Sequence, residues 1–346
     1  MTLMTFDQAL RRTETSRRHL LLGNGFSRAL FDKKFNYTAL FERARSKLSP
    51  TAAKAFEALS TTNFEEVMRG LRHAAMLVDI YTKSEPSAAA AMQNDLDAIR
   101  NLLAATIAES HPDRPGDITP EHYRSCKTFL AHFKCLYTCN YDLLLYWTVM
   151  QDEIQPQVEH DDGFRTPESK VAEYVVWEVQ NTDEQNIHYL HGALHIFDAG
   201  HELQKYTWVN TQIPLLEQIR DALKANKYPL FVSEGTWAEK LERIQHSNYL
   251  GRSYRSFAHI GGPLFTFGLS FAQNDEHILA LLEHNKISDV FVGVFGDPNS
   301  NTNKPMVARA KQLGTKRPAK RPLQVHFYDA ASAQVWDRTS KVRMIK

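Results

Sequence analysis

Four short clusters carry residue types that can do chemistry. They are Gly23-Asn24-Gly25-Phe26-Ser27, Thr138-Cys139-Asn140-Tyr141-Asp142, Tyr189-Leu190-His191-Gly192, and Gly268-Leu269-Ser270-Phe271 followed by Asn274-Asp275. Gly23 and Gly25 remove two β-carbons, so backbone N–H groups can approach a diphosphate where a helix N-terminus favours negative charge. Ser27 adds a hydroxyl donor. The alternative is a tight turn without a ligand. The third glycine of the common dinucleotide fingerprint is missing, which counts against an ordinary dehydrogenase. Asn140 has the chemistry to hold a ribose hydroxyl or a water. Asp142 can accept from a hydroxyl or cap a helix. His191 is suited to acid–base work near neutral pH, or is a buried structural histidine. Gly268 permits close backbone approach, Ser270 offers a donor, and Asp275 is a candidate helix cap. His188 and His195 flank His191. A three-residue spacing puts His188 and His191 on opposite faces of a strand, and Gly192 interrupts the run to His195, so no metal centre is expected.

The elements that must position these clusters are legible as alternating strands and helices. The apolar run 19–22 stops at glycines, as a buried strand entering a turn does. Further strands are expected at 135–138, 174–179, 229–232, 264–268, 289–295 and 323–328, with strand–turn–strand at 186–197. Helices are expected between them, at 143–150, 213–225, 237–246, 249–259, 275–283 and 305–313. Residues 37–133 read as almost wholly helical. Phe64, Val67, Met68, Leu71, Ala75 and Val78 follow helical spacing behind a cap at Asn63. The pattern predicts an α/β protein: a Rossmann-like parallel sheet with helices on both faces and a large all-helical insertion. Residues 1–36 and 134–346 form the Rossmann-type unit, and 37–133 the inserted module. The clusters then fall at the C-terminal ends of strands, where open α/β sheets bind ligands. Glu234 and Glu239, beside Gly235, are within reach of such a cleft.

Composition narrows the function classes. The 346 residues carry 41 Lys+Arg against 40 Asp+Glu, a formal charge of +1, which argues against binding nucleic acid through a general basic face. The one dense basic run, 316–322, reads as a solvated loop. No apolar run reaches the ~18 residues that span a bilayer, and residues 1–16 are too polar for a signal peptide; a cytoplasmic protein is expected. Three cysteines, Cys126, Cys135 and Cys139, supply neither a disulfide framework nor a four-cysteine zinc module.

In this order, Gly-Asn-Gly-Phe-Ser, Thr-Cys-Asn-Tyr-Asp, Leu-His-Gly and Gly-Leu-Ser-Phe-x-x-x-Asp resemble the zinc-free bacterial branch of the sirtuin-like NAD-hydrolase family, over residues 20–282. The resemblance implies cleavage of NAD, as substrate, to nicotinamide and ADP-ribose, without a metal, by an NAD-depleting effector of antiphage defence. It implies that Gly23, Asn24, Gly25 and Ser27, with Phe26 between them, cradle phosphate. Asn140 would orient the ribose and the attacking water, Asp142 would stand beside the nicotinamide pocket, and His191 would act as base. Gly268 and Ser270, with Asp275 beyond, would lie near the adenosine half. Deacetylating members carry a four-cysteine zinc ribbon that this chain cannot build, and usually Ala where Asn24 stands. A toxic activity implies a gate, so a regulatory protein partner or a homo-oligomer is expected, with the helical insertion as gate or interface. Other readings are a non-catalytic NAD- or ADP-ribose-sensing module, an ADP-ribosyl transferase, and a helical block that functions on an inert α/β scaffold.

Overall fold

The structure is a computed structural model and describes residues 1–81, 87–167, 173–233 and 236–336. Eleven strands occur among them: β1 (His19–Leu22), β2 (Cys135–Thr138), β3 (Phe164–Arg165), β4 (Tyr174–Trp177), β5 (Ile187–Tyr189), β6 (Gly192–Asp198), β7 (Leu203–Tyr206), β8 (Pro229–Phe231), β9 (Gly261–Phe267), β10 (Lys286–Val294) and β11 (Gln324–Asp329). Six of them make an all-parallel sheet in the order β11-β10-β9-β1-β2-β5. Alternate residues of its strands face opposite ways. Leu20, Leu22, Leu136 and Phe265 enter one core, whereas Leu21, Tyr137, Leu264 and Val290 enter the other. Helices cover both, which is why these strands are apolar without interruption. The expected Rossmann-like α/β architecture is therefore present.

The chain runs outward from β1 through β2 to β5, then returns to the other side of β1 for β9, β10 and β11. The strand order reverses between β1 and β9, and a crevice opens outside the carboxyl ends there.

A second sheet, β3-β4-β7-β6-β8, is antiparallel and departs from the sequence expectation of one largely parallel sheet. The runs at 174–179 and 229–232 belong to it, and so does the second half of 186–197. Only four residues separate Asp198 from Leu203, too few for a crossover helix, so β6 and β7 pair as a hairpin. The break at His191-Gly192 is real, but it is not a hairpin turn. The chain leaves the parallel sheet after Tyr189 and enters the antiparallel one at Gly192.

Between β1 and β2 lie helices Tyr37–Ala44, Pro50–Ala58, Phe64–Tyr81, Ser87–Ser110 and Pro120–Leu130. Asn63 caps the third, its Oδ1 accepting from the Glu65 N–H at 3.0 Å. Phe64, Leu96 and Leu103 share one core with Leu20 and Phe265 of the sheet. The last helix packs directly on the sheet, with the Phe129 ring 5.5 Å from Phe267. The basic run at 316–322 also differs from expectation at one residue. Arg317 is buried, and its guanidinium donates to the carbonyls of Leu282, Asn285 and Ile287 at 2.7–2.8 Å. Three carbonyls thus gain charge-assisted bonds. Among the described residues no helix is long and apolar enough to cross a membrane.

Candidate functional site

The crevice is a cleft of about 1010 Å³. Its walls come from the segments that follow five parallel strands: Gly23–Gly25 after β1, Cys139–Asp142 after β2, His191 after β5, Gly268–Asp275 after β9, and Phe295–Asn303 after β10. The helical block closes one side with Tyr37, Leu40, Glu65, Leu103 and Ile107. Of the residues singled out in the sequence, Gly23, Asn24, Gly25, Asn140, Asp142, His191, Gly268, Ser270 and Asp275 line this one cleft. Phe26 and Ser27 do not. Phe26 is buried with its ring 5.1 Å from Trp336, and Ser27 lies beneath the floor.

The glycines lock two turns together. Gly23 N–H donates to the Phe267 carbonyl at 3.0 Å and Gly25 N–H to the Gly268 carbonyl at 2.9 Å, while Phe26 N–H closes back on Gly23 at 2.9 Å. These three N–H groups are therefore engaged within the protein and are not free for a phosphate. The glycines serve close packing instead: a β-carbon on Gly23 would stand 2.6 Å from the Gly268 oxygen. Asn24 is also committed, its amide donating to the Phe35 carbonyl at 3.1 Å. The cation at this end of the cleft is Arg28, one helical turn on, exposed and paired with the exposed Asp32 at 2.8 Å.

The floor is a small polar network. Asn140 fixes its backbone through Thr138 Oγ1 at 3.0 Å and donates its side-chain amide to Ser27 Oγ at 3.2 Å. Ser27 in turn donates to Asp142 Oδ2, and Asp142 Oδ1 accepts the Leu144 N–H at 2.9 Å. Asp142 thus takes up the first N–H of the helix Leu144–Val149 and braces Ser27 at once. Burial raises its carboxyl above the usual range, against the pull of those hydrogen bonds. Ser27→Ala is expected to cost about 1–3 kcal/mol, because it leaves a buried carboxyl oxygen and a buried amide unpartnered. Chemical denaturation checks this, and a midpoint equal to the parent's would contradict it.

His191 is 2% exposed and lies with its Nε2 2.8 Å from the Nε2 of His277. The Cys139 backbone lies beside its ring and favours the protonated form. Burial, then the His277 and Lys240 charges, hold its pKa well below the histidine norm; His277 is held down to about 3, chiefly by burial. Both rings are neutral at pH 7. His188 and His195 are elsewhere: His188 stacks on Tyr137 with centroids 4.8 Å apart, and His195 packs 4.6 Å from Tyr146.

Asp275 occupies the position before the helix Glu276–Leu279, but its side chain makes no capping bond, so the expected cap is absent. Half-buried, it faces the cleft instead. Burial pushes its carboxyl up to about 6, opposed by the Lys240 charge and reinforced by Glu65. Ser270 is exposed and accepts the Ala272 N–H at 3.3 Å.

Sequence reasoning missed Glu65, Lys240, His277, Tyr37 and Arg28. Lys240 is 1% exposed and reaches Glu65 Oε2 at 2.9 Å. Beside it, Arg72 meets Glu239 at 3.1 Å and Arg69 meets Asn274 Oδ1 at 2.9 Å. Glu239 therefore ties the helical block to the rim rather than lining the cleft. Glu234 and Gly235 lie outside the described residues.

Fold and site together define an α/β protein with a Rossmann-like sheet and, at its switch point, a ligand-sized cleft that carries several polar side chains. The chain belongs to the family described as a domain of unknown function, DUF4917, which matches residues 20–336. No curated protein matches the chain.

Proposed function

We propose that this protein hydrolyses NAD to nicotinamide and ADP-ribose, as a metal-independent, sirtuin-like effector of bacterial antiphage defence acting in the cytoplasm. The observation that carries the reading is the convergence of Asn140, Asp142 and His191 with the Gly23–Gly25 and Gly268 turns in one cleft. These segments lie far apart in sequence, and their motifs, in this order, are those that resemble the family.

Loss of nicotinamide leaves a ribose with oxocarbenium character, which fixed dipoles and nearby carboxylates stabilise better than mobile water does. The Asn140 amide, held by Ser27, is such a fixed dipole. His191, neutral and locked against His277, shapes the wall beside it. With the Gly23, Gly25 and Phe26 amides engaged, Arg28 supplies the positive charge for the diphosphate.

Incubating the purified protein with NAD and following nicotinamide by chromatography tests the reading. The parent releases nicotinamide; Asn140→Ala lowers the rate by about 100-fold or more, as loss of a fixed dipole at a centre of developing charge does, and His191→Ala lowers it by opening the wall beside that amide, both variants keeping a cooperative unfolding transition. Full activity in both variants sinks the assignment.

A further inference from the structure

We propose that Asp275 is the general base of the cleft, and that its carboxylate takes the proton from the water that replaces nicotinamide on the ribose. This rests on the hydrolase reading above and departs from the role expected of His191.

The argument starts from which lone pairs are free. A neutral imidazole has one donor nitrogen and one acceptor nitrogen. We assign the His191 proton to Nδ1, the ring nitrogen not in contact with His277, because the Cys139 backbone favours a donor on this ring. The remaining lone pair, on Nε2, is then the acceptor in the contact with His277 Nε2. The same assignment leaves His277 Nδ1 without a proton, in keeping with its being buried with no hydrogen-bond partner. His191 therefore has no open lone pair for a water, and its basicity is well below the histidine norm.

Asp275 is the opposite case. It lines the same cleft as Asn140 and His191, and no hydrogen bond of its side chain is seen among the described residues. The charged and titratable groups around it are Glu65 and Tyr37 from the helical block, Lys240 from the helix Trp237–His246, and Cys139 and Tyr141 from the segment after β2. Burial outweighs Lys240 and brings the carboxyl to about 6, close to where a base at neutral pH works best.

The step balances as follows. The bond between the ribose C1′ and the nicotinamide nitrogen breaks, and its electron pair neutralises the pyridinium. Water oxygen bonds C1′, and one water proton passes to an Asp275 oxygen and then to solvent. NAD and water become nicotinamide, ADP-ribose and a proton, with no change of oxidation state.

The test is kcat and KM for nicotinamide release across pH 5–8, with thermal unfolding beside them. In the parent, kcat/KM rises with pH to a plateau, with a midpoint near 6, because the base must be ionised. Asp275→Asn lowers kcat about 100-fold or more, moves KM less than about threefold, and flattens the rising limb; Asp275→Glu restores part of the rate. Its Tm at pH 7 is no lower than the parent's, since a neutral isostere replaces a carboxylate that burial disfavours. An active parent with an Asp275→Asn variant of the same kcat, or of lower kcat with the limb intact, overturns the inference and leaves the hydrolase reading standing. A parent that releases no nicotinamide overturns both. Should the variant lose its unfolding transition, the parent's limb decides: a midpoint below about 4.5 overturns the assignment.

Discussion

Gly268→Ala is expected to lower stability by about 2–6 kcal/mol. Two costs combine. Gly268 has φ +69°, where an L side chain is strained by about 1–3 kcal/mol. The added carbon would also stand 2.5 Å from Gly25 Cα and from Phe26 N. Both obstacles are backbone, so no rotamer change relieves them, and overpacking of this kind adds about 1–3 kcal/mol. The turns after β1 and β9 must then part, breaking the bond from Gly25 N–H to the Gly268 carbonyl. Urea denaturation reads the loss, and a midpoint within error of the parent's would contradict the packing argument. On the proposed reading nicotinamide release falls with it, because those turns form the mouth of the cleft.

The second large effect is at Lys240. Lys240→Met strands Glu65, whose side chain is only 13% exposed, without its cation. Removing one partner of a buried pair costs about 3–5 kcal/mol, whereas removing both costs far less. Glu65→Gln combined with Lys240→Met is therefore expected to regain most of the stability, with a coupling that a double-mutant cycle measures. Simple additivity of the two single losses would contradict the pairing. The sign of the pH effect follows from the same contact. Lys240 holds the Asp275 carboxyl down against burial. Its removal raises that pKa above about 6, so the rising limb of activity moves toward higher pH.

Much of this site was legible in the sequence because it lies where apolar runs stop. His19–Leu22, Cys135–Thr138 and the run ending at Phe267 announce buried strands, and the polar or glycine residues next to them fall at strand ends by construction. The helix Trp237–His246 was equally legible, yet its lysine was not. Lys240 lies four residues before the buried Ile244, on the same face, and a lysine in that stripe was the available signal that a buried acid awaits it. Its partner Glu65 reads locally as an ordinary first-turn acid. Only the tertiary fold brings the two together, across 175 residues. The second sheet was missed for a related reason. Short apolar strands look alike in parallel and antiparallel pairing, and the loop from Asp198 to Leu203 was the one discriminating length. His277 lies two residues beyond Asp275 of a quoted motif, but nothing local says that it faces His191.

The position of β1 has a kinetic consequence. His19 pairs with Cys135 on one side and with Leu264 on the other. The central strand of the parallel sheet thus waits for partners more than a hundred, and then more than two hundred, residues downstream. Contacts of such sequence separation form late and slowly. During synthesis the helical block and β2 can assemble early, but the turn at Gly268 that completes the mouth of the cleft is made only when most of the chain has emerged. Activity should therefore appear as a late, cooperative event in refolding, lagging behind the recovery of helical signal.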